Sequence, residues 1–146
     1  MTESAPMSLA THYSEAWNTR NAGAILALHS EDSVFQVHGA SAPRGWVRKA
    51  TGREEIRDAL ETFFATWTRS RFEPRAMPLF GNDHWVLEWT LHATVASPKM
   101  LEGGTIAGAD KEVSFEGVDV IRVSNGRVTR KDTYIDALAL QAQLGS

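Results

Sequence analysis

The stretch Val113–Asp136 reads VSFEGVDVIRVSNGRVTRKDTYID, and its reading decides the fold. Two runs rich in β-branched and aromatic residues flank Ser124-Asn125-Gly126. An Asn-Gly pair supplies the positive-φ positions of a tight hairpin turn, so the segment predicts two antiparallel strands. The first arm alternates imperfectly, because Val118 and Val120 are apolar as well as Phe115, Ile121 and Val123. A strand apolar on both faces is covered on both faces. Asp119 lies in the middle of that arm. A carboxylate there has to be paired, hydrogen-bonded, wet or neutral, which makes Asp119 the most informative residue of the chain.

The hairpin register decides what faces Asp119. A two-residue Asn125-Gly126 turn pairs Ser124 with Arg127 and sets Asp119 across from Asp132. Two close carboxylates would then share a proton. A three-residue loop with Gly126 as a bulge pairs Val123 with Arg127 and sets Asp119 across from Lys131, as an ion pair.

Upstream of the hairpin, Leu9, Tyr13, Ala16 and Trp17 fall on one stripe and predict a helix over Ser8–Thr19. Asn21 can cap a short second helix ending at Leu28. Ser33–Val37 reads as a strand. Gly39–Ala50, with Pro43 and no clear period, reads as a long loop, a mobile rim with Trp46 among charges. Thr51-Gly52-Arg53-Glu54 is a capping box. It opens a helix whose apolar face is Ile56, Leu60, Phe63, Phe64 and Trp67. Arg71–Leu79 reads as a strand that Pro74 and Pro78 confine to an edge or a bulge. His84–Ala96 reads as a long strand with Trp85, Leu87, Trp89 and Leu91 on one face. Ser97–Asp110 is a glycine-rich loop, and Asp136 can cap a last helix with Ala137, Leu140 and Leu144 on one face. Helices followed by consecutive strands give an α+β fold, a curved antiparallel sheet wrapped over helices.

Size and composition bound the function. A chain of 146 residues, 42% hydrophobic and 23% charged, predicts one globular domain over residues 1–146, with Met1–Met7 loosely ordered. The net charge of −3 gives no footprint for nucleic acid or an anionic membrane. The absence of cysteine excludes disulfides and thiolate chemistry and fits a cytoplasmic address. No apolar run approaches the ~18 residues of a membrane span, and no basic-then-apolar leader marks a signal peptide. His12, His29, His84 and His92 lack metal-ligand spacing, so no metal is expected. No glycine pattern resembles a phosphate loop and no serine sits in a nucleophile elbow, so neither a nucleotide cofactor nor acyl transfer is expected.

Tyr13-x-x-Ala16-Trp17-Asn18, Ala27-Leu28-His29-x-x-Asp32-x-Val34-Phe35, Gly52-x-x-x-Ile56-Arg57 and Gly117-Val118-Asp119-Val120-Ile121-Arg122-Val123-x-x-Gly126-Arg127-Val128 together resemble the nuclear transport factor 2-like superfamily. The closest flavour is its SnoaL-like group of polyketide cyclases, related to ketosteroid isomerase. The resemblance runs from Leu9 to Leu144. It implies a conical α+β barrel, a mostly antiparallel sheet wrapped over three helices, open at one end and paired as a homodimer through the sheet. It also implies a pocket for a hydrophobic small molecule, lined by the first helix, the third helix and the inner sheet face. Substrate-binding positions would then be Trp17, Phe35, Phe63, Trp67, Trp89, Ile121, Lys131 and Thr133.

Tyr13 matches the oxyanion-hole tyrosine of ketosteroid isomerase, and Asp119 its protonated, donating aspartic acid. In SnoaL-like cyclases the sheet aspartate does acid–base work. The isomerase's base aspartate falls at Val37 or His38, neither a carboxylate, so His38 is the candidate second base. Limonene epoxide hydrolase carries its water-activating aspartate where Thr133 stands, with Asp132 one residue off and so on the opposite face. An inward Thr133 also favours the bulged hairpin, with Asp119 across from Lys131. The resulting expectation is a cofactor-independent acid–base enzyme with Asp119, Tyr13 and His38 as catalytic residues. The alternatives are a non-catalytic binding or dimerising module and, behind it, an epoxide hydrolase. The plainer readings are a core tyrosine bonded to backbone, an Asp119 ion pair with Lys131 or Arg130, and a capping or surface His38.

Overall fold

The computed structural model describes residues 5–38, 46–96 and 110–144. In chain order the elements are α1 (Ala5–Asn18), α2 (Ala22–Ala27), β1 (His29–His38), β2 (Lys49–Thr51), α3 (Arg53–Thr66), β3 (Trp67–Pro74), β4 (Leu79–Phe80), β5 (His84–Val95), β6 (Lys111–Ser124), β7 (Arg127–Ile135) and α4 (Ala137–Leu144). The described strands form one sheet in the order β2-β1-β7-β6-β5-β3, with β4 paired to β5. Every pairing is antiparallel except β1 with β7. The sheet curves without closing and packs α1, α2 and α3 on its inner face. This is the expected α+β architecture, with a fourth helix, α4, resting on β6.

The long strands alternate as their sequences dictate. β5 turns Trp85, Leu87, Trp89 and Leu91 inward, opposite Ile121, Asp119, Gly117 and Phe115 of β6. Val118 and Val120 point the other way and are half-buried. At Gly117 the missing side chain is what admits Trp89: a Cβ there would lie 2.4 Å from the indole ring and 2.9 Å from the Tyr134 carbonyl.

The hairpin overturns the favoured three-residue loop and keeps the two-residue turn, but not the Asp119–Asp132 pairing expected with it. Asn125 (φ 52°) and Gly126 (φ 73°) make a two-residue turn that pairs Ser124 with Arg127. Val123 then pairs with Val128 but Arg122 with Arg130, so Thr129 is an extra residue in β7. Asp119 therefore faces Thr133, not Asp132 or Lys131. One inserted residue inverts every side chain beyond it. Lys131 and Thr133 are thereby turned inward and Asp132 outward, the parity that the resemblance required.

Other boundaries move for local reasons. β1 begins at His29, and the register between β1 and β7 shifts between His29 and Val34. α1 already includes Met7, expected to be loose, and residues 1–4 lie outside the described ones. Trp67 opens edge strand β3 instead of closing α3, and Pro74 ends that strand. The N-cap of α3 is Gly52, at φ 86° and without a side-chain cap bond; Glu55, not Glu54, reaches back to the Thr51 N–H at 2.9 Å. Asn21 caps α2 as expected, accepting from the Ala24 N–H. Of the two expected loops, residues 39–45 and 97–109 lie outside the described residues, and Lys49–Thr51 is strand β2.

Two side chains lock α1 to the rest. Arg20 donates to the Phe64 carbonyl at 2.7 Å and the Trp67 carbonyl at 2.8 Å, setting a cation on the carbonyl end of α3. The Asn18 amide donates to the Phe72 carbonyl and accepts from its N–H, holding Phe72 of β3 against Trp17.

Candidate active site

The inner face of β6 and β7 carries the charged groups. Lys131 Nζ donates to Thr133 Oγ1 at 2.8 Å, and Thr133 Oγ1 donates to Asp119 Oδ1 at 2.7 Å. Lys131 Nζ lies 3.6 Å from the same carboxylate oxygen. Asp119 is buried, and the ammonium sits 4.9 Å from the Trp17 ring centre and 5.2 Å from that of Phe35. Cation and carboxylate thus stabilise each other where either alone would be costly to bury. The partner is Lys131 and not Arg130, which faces outward and binds Asp132 at 2.9 Å.

Tyr13 reaches the same face from α1, on the stripe that its spacing predicts, and is 3% exposed. Burial raises its pKa well above the ordinary phenol value, and the Asp119 charge adds to the rise. The phenol keeps its proton. Its partner is not backbone but His29, with Tyr13 Oη 2.9 Å from Nε2, and His29 Nδ1 is 2.8 Å from Ser33 Oγ. Burial, then the nearby Lys131 and Arg53 charges, push the His29 pKa down to about 3, so the ring is neutral. From its sequence context His29 is a candidate only for metal ligation, which its spacing disfavours. Its spacing of four from Ser33 sets both on one face of β1 by period-two alternation, and Phe35, two residues on, shares it; that spacing is the signal that could have found the pair.

His38, expected as a second base, is not brought to this group. As the last residue of β1 it lies beside Tyr134 with its ring stacked on it, and Nε2 is 2.7 Å from Asp132 Oδ1 on the outer face. Burial would raise the Asp132 pKa, but hydrogen bonds from Arg130 and His38 hold it below the usual carboxylate value. The alternation of β1 decides this: Val37 faces in, so His38 faces out.

Two apolar crevices open on the inner face, each enclosing about 50 Å³, room for a few waters. Tyr13, Asp119, Ile121 and Lys131 line one. Phe35, Phe63, Lys131 and Thr133 line the other. Trp17, Phe72, Trp89 and Lys131 belong to both and form the partition between them. Of the expected substrate-binding residues Trp67 is the exception. It lines neither crevice and is core, 1% exposed, behind Phe63 and Trp46. Trp46, expected on a mobile rim, packs its ring 5.4 Å from Phe63 and lines the second crevice.

Among the described residues the buried indole N–H groups of Trp17, Trp46 and Trp89 have no hydrogen-bond acceptor. All three residues line the second crevice. An unsatisfied buried donor costs ~1–3 kcal/mol, and the cavity these three line has room for the water or ligand oxygen that satisfies them. Among the described residues no group of three His, Asp or Glu side chains is placed to hold a metal ion.

A family model, the SnoaL-like domain, matches residues 10–131. No curated protein matches the chain. Among solved structures, a protein from Shewanella putrefaciens proposed to be a SnoaL-like polyketide cyclase superposes with a TM-score of 0.80 at 22% identity, over 99% of this chain and 98% of that one. A protein from Xanthomonas campestris proposed to be a polyketide cyclase gives 0.79 at 18% identity, over 96% of each chain. TerC, co-crystallised with polyporic acid, gives 0.75 at 18% identity, over 98% of this chain and 100% of that one.

Proposed function

This chain belongs to the SnoaL-like domain family, and from that premise we propose that it is an acid–base enzyme, without metal or organic cofactor, acting on a hydrophobic oxygenated small molecule. The observation that carries the reading is the convergence of Asp119 and Tyr13 on one apolar crevice. Asp119 takes a proton from the carbon next to a substrate carbonyl. The electron pair moves onto the carbonyl oxygen, where the Tyr13 hydroxyl and the Lys131 ammonium stabilise the enolate. Return of the Asp119 proton to another carbon is isomerisation; attack of the enolate on a second carbonyl, whose alkoxide takes that proton, is ring closure; and departure of a β-hydroxyl as water, carrying that proton, is dehydration. Thr133 and Lys131 position the carboxylate. Trp17, Phe35, Phe63, Trp89 and Ile121 hold the ring system, and the three indole donors meet its oxygens. An epoxide hydrolase would need a carboxylate where Thr133 stands. The working form is a homodimer through the outer sheet face, where Val118 and Val120 are half-buried and Tyr134 is exposed.

A ligand-binding module without turnover is the second reading. The narrowness of the crevices, crowded by tryptophans, favours it. Deuterium exchange separates the two. In D2O the protein should accelerate exchange at the α-carbon of 2-tetralone above buffer, and Asp119→Asn should abolish the acceleration. Thermal stabilisation by a panel of cyclic ketones with no exchange in any of them would leave the binding module.

A further inference from the structure

We propose that Ser33 and His29 form a buried donor relay that turns the Tyr13 hydroxyl proton into the crevice, making both positioning residues for the tyrosine. The proposal deepens the acid–base reading given above.

The geometry is a chain of three groups, Ser33 Oγ to His29 Nδ1 at 2.8 Å and His29 Nε2 to Tyr13 Oη at 2.9 Å. His29 and Ser33 are 0% exposed and Tyr13 is 3% exposed. A neutral imidazole has one N–H and one lone pair, so the chain runs in one of two directions. In the first, Tyr13 donates to Nε2, and Nδ1–H donates to Ser33. The Ser33 proton is then left in a fully enclosed place, where His29 is the only partner of its oxygen among the described residues. In the second, Ser33 donates to Nδ1, and Nε2–H donates to the Tyr13 oxygen. The proton left over is the tyrosine's own, on the wall of a crevice that a ligand oxygen can enter.

Each direction leaves one proton unspent, and the cost of an unsatisfied buried donor decides between them. Only the second leaves it where a ligand can accept it. The charges around the ring fit a neutral histidine: Lys131 and Arg53 both disfavour an imidazolium, and Asp119 acts on Tyr13 from across the crevice. The relay also acts in the transition state. As charge grows on a substrate oxygen, Tyr13 donates to it while receiving from His29, and each bond of the chain polarises the next.

The tautomer is read directly by long-range 1H–15N correlation of the histidine rings in uniformly labelled protein. The expected His29 spectrum has a protonated Nε2 and a bare Nδ1, unchanged from pH 8 to pH 5. A protonated Nδ1, or a doubly protonated ring at pH 6, would overturn the relay. Ser33→Ala should raise the Nδ1–H form, while Ser33→Thr, which keeps the hydroxyl, should retain the wild-type pattern. An unaltered spectrum in Ser33→Ala would remove Ser33 from the chain. If Ser33→Ala does not fold, the wild-type spectrum alone decides the direction. No substrate enters the measurement, so its result is independent of whether the protein turns anything over.

Discussion

Asp119 and Thr133 stand directly across from each other on β6 and β7, and the Thr133 hydroxyl donates to the Asp119 carboxylate at 2.7 Å. The rung exists because Thr129 is an extra residue in β7. Without it the same turn would bring Asp132 inward and two carboxylates together. Lys131 sits two residues before Thr133 on the same face, so its donor and its charge reach the same oxygen of Asp119. An acid–base carboxylate needs this kind of anchoring, since a misplaced base loses most of its advantage.

Asp119→Asn should therefore lower turnover by ~10²–10⁴-fold, because an amide cannot take the proton. Thr133→Val should cost less, since Lys131 still fixes the carboxylate. Rates for a substrate found by the exchange assay decide this. Full activity in the Asn variant would mean that residue 119 works as a hydrogen-bond donor instead.

The three unpartnered indoles set a preference for oxygenated ligands. 2-Tetralone should bind ~5–10-fold more tightly than tetralin, the yield of about one net hydrogen bond. Trp17→Phe and Trp89→Phe should each narrow that ratio. Titration by calorimetry checks it, and equal affinities for the two compounds would assign the donors no role in recognition.

His29 should make the fold acid-sensitive. Its folded pKa of about 3 lies below the unfolded value, so the unfolded chain takes up a proton first as pH falls. Stability is full above the ordinary histidine range and is lost as pH drops toward about 3. Between pH 7 and pH 4.5 the loss is ~2–3 kcal/mol. Asp132, also depressed, loses its contribution only at lower pH, in the carboxylate range. Urea unfolding at both pH values should show the drop in wild type and a smaller one in His29→Gln. Equal drops would place the acid sensitivity elsewhere.

The outer sheet face should close a dimer. Light scattering at micromolar concentration should give about twice the 16.1 kDa chain mass. Val120→Lys sets a charge among the half-buried valines of that face and should yield monomer. Wild-type protein at the mass of one chain would exclude the dimer.

What the sequence determined by itself was the class of fold and the face of each long strand. Asn125-Gly126 specified a tight hairpin though not its length, period-two alternation specified the inward tryptophans of β5, and helical spacing set Tyr13 inward. These follow from local rules, a turn that needs positive φ and a repeat that matches the pleat or the helix. The same rules singled out Asp119. Only the tertiary structure decided what Asp119 faces, because a bulge at Thr129 leaves no mark in composition and inverts everything beyond it. It likewise exchanged one histidine for another. His38 went to Asp132 on the outer face, and His29, on the inner face of β1, met Tyr13 where α1 packs against the sheet. Turns and periods act over a few neighbouring residues. A site assembled from α1, β1, β6 and β7 depends on registers between strands far apart in the chain, and those are set by packing.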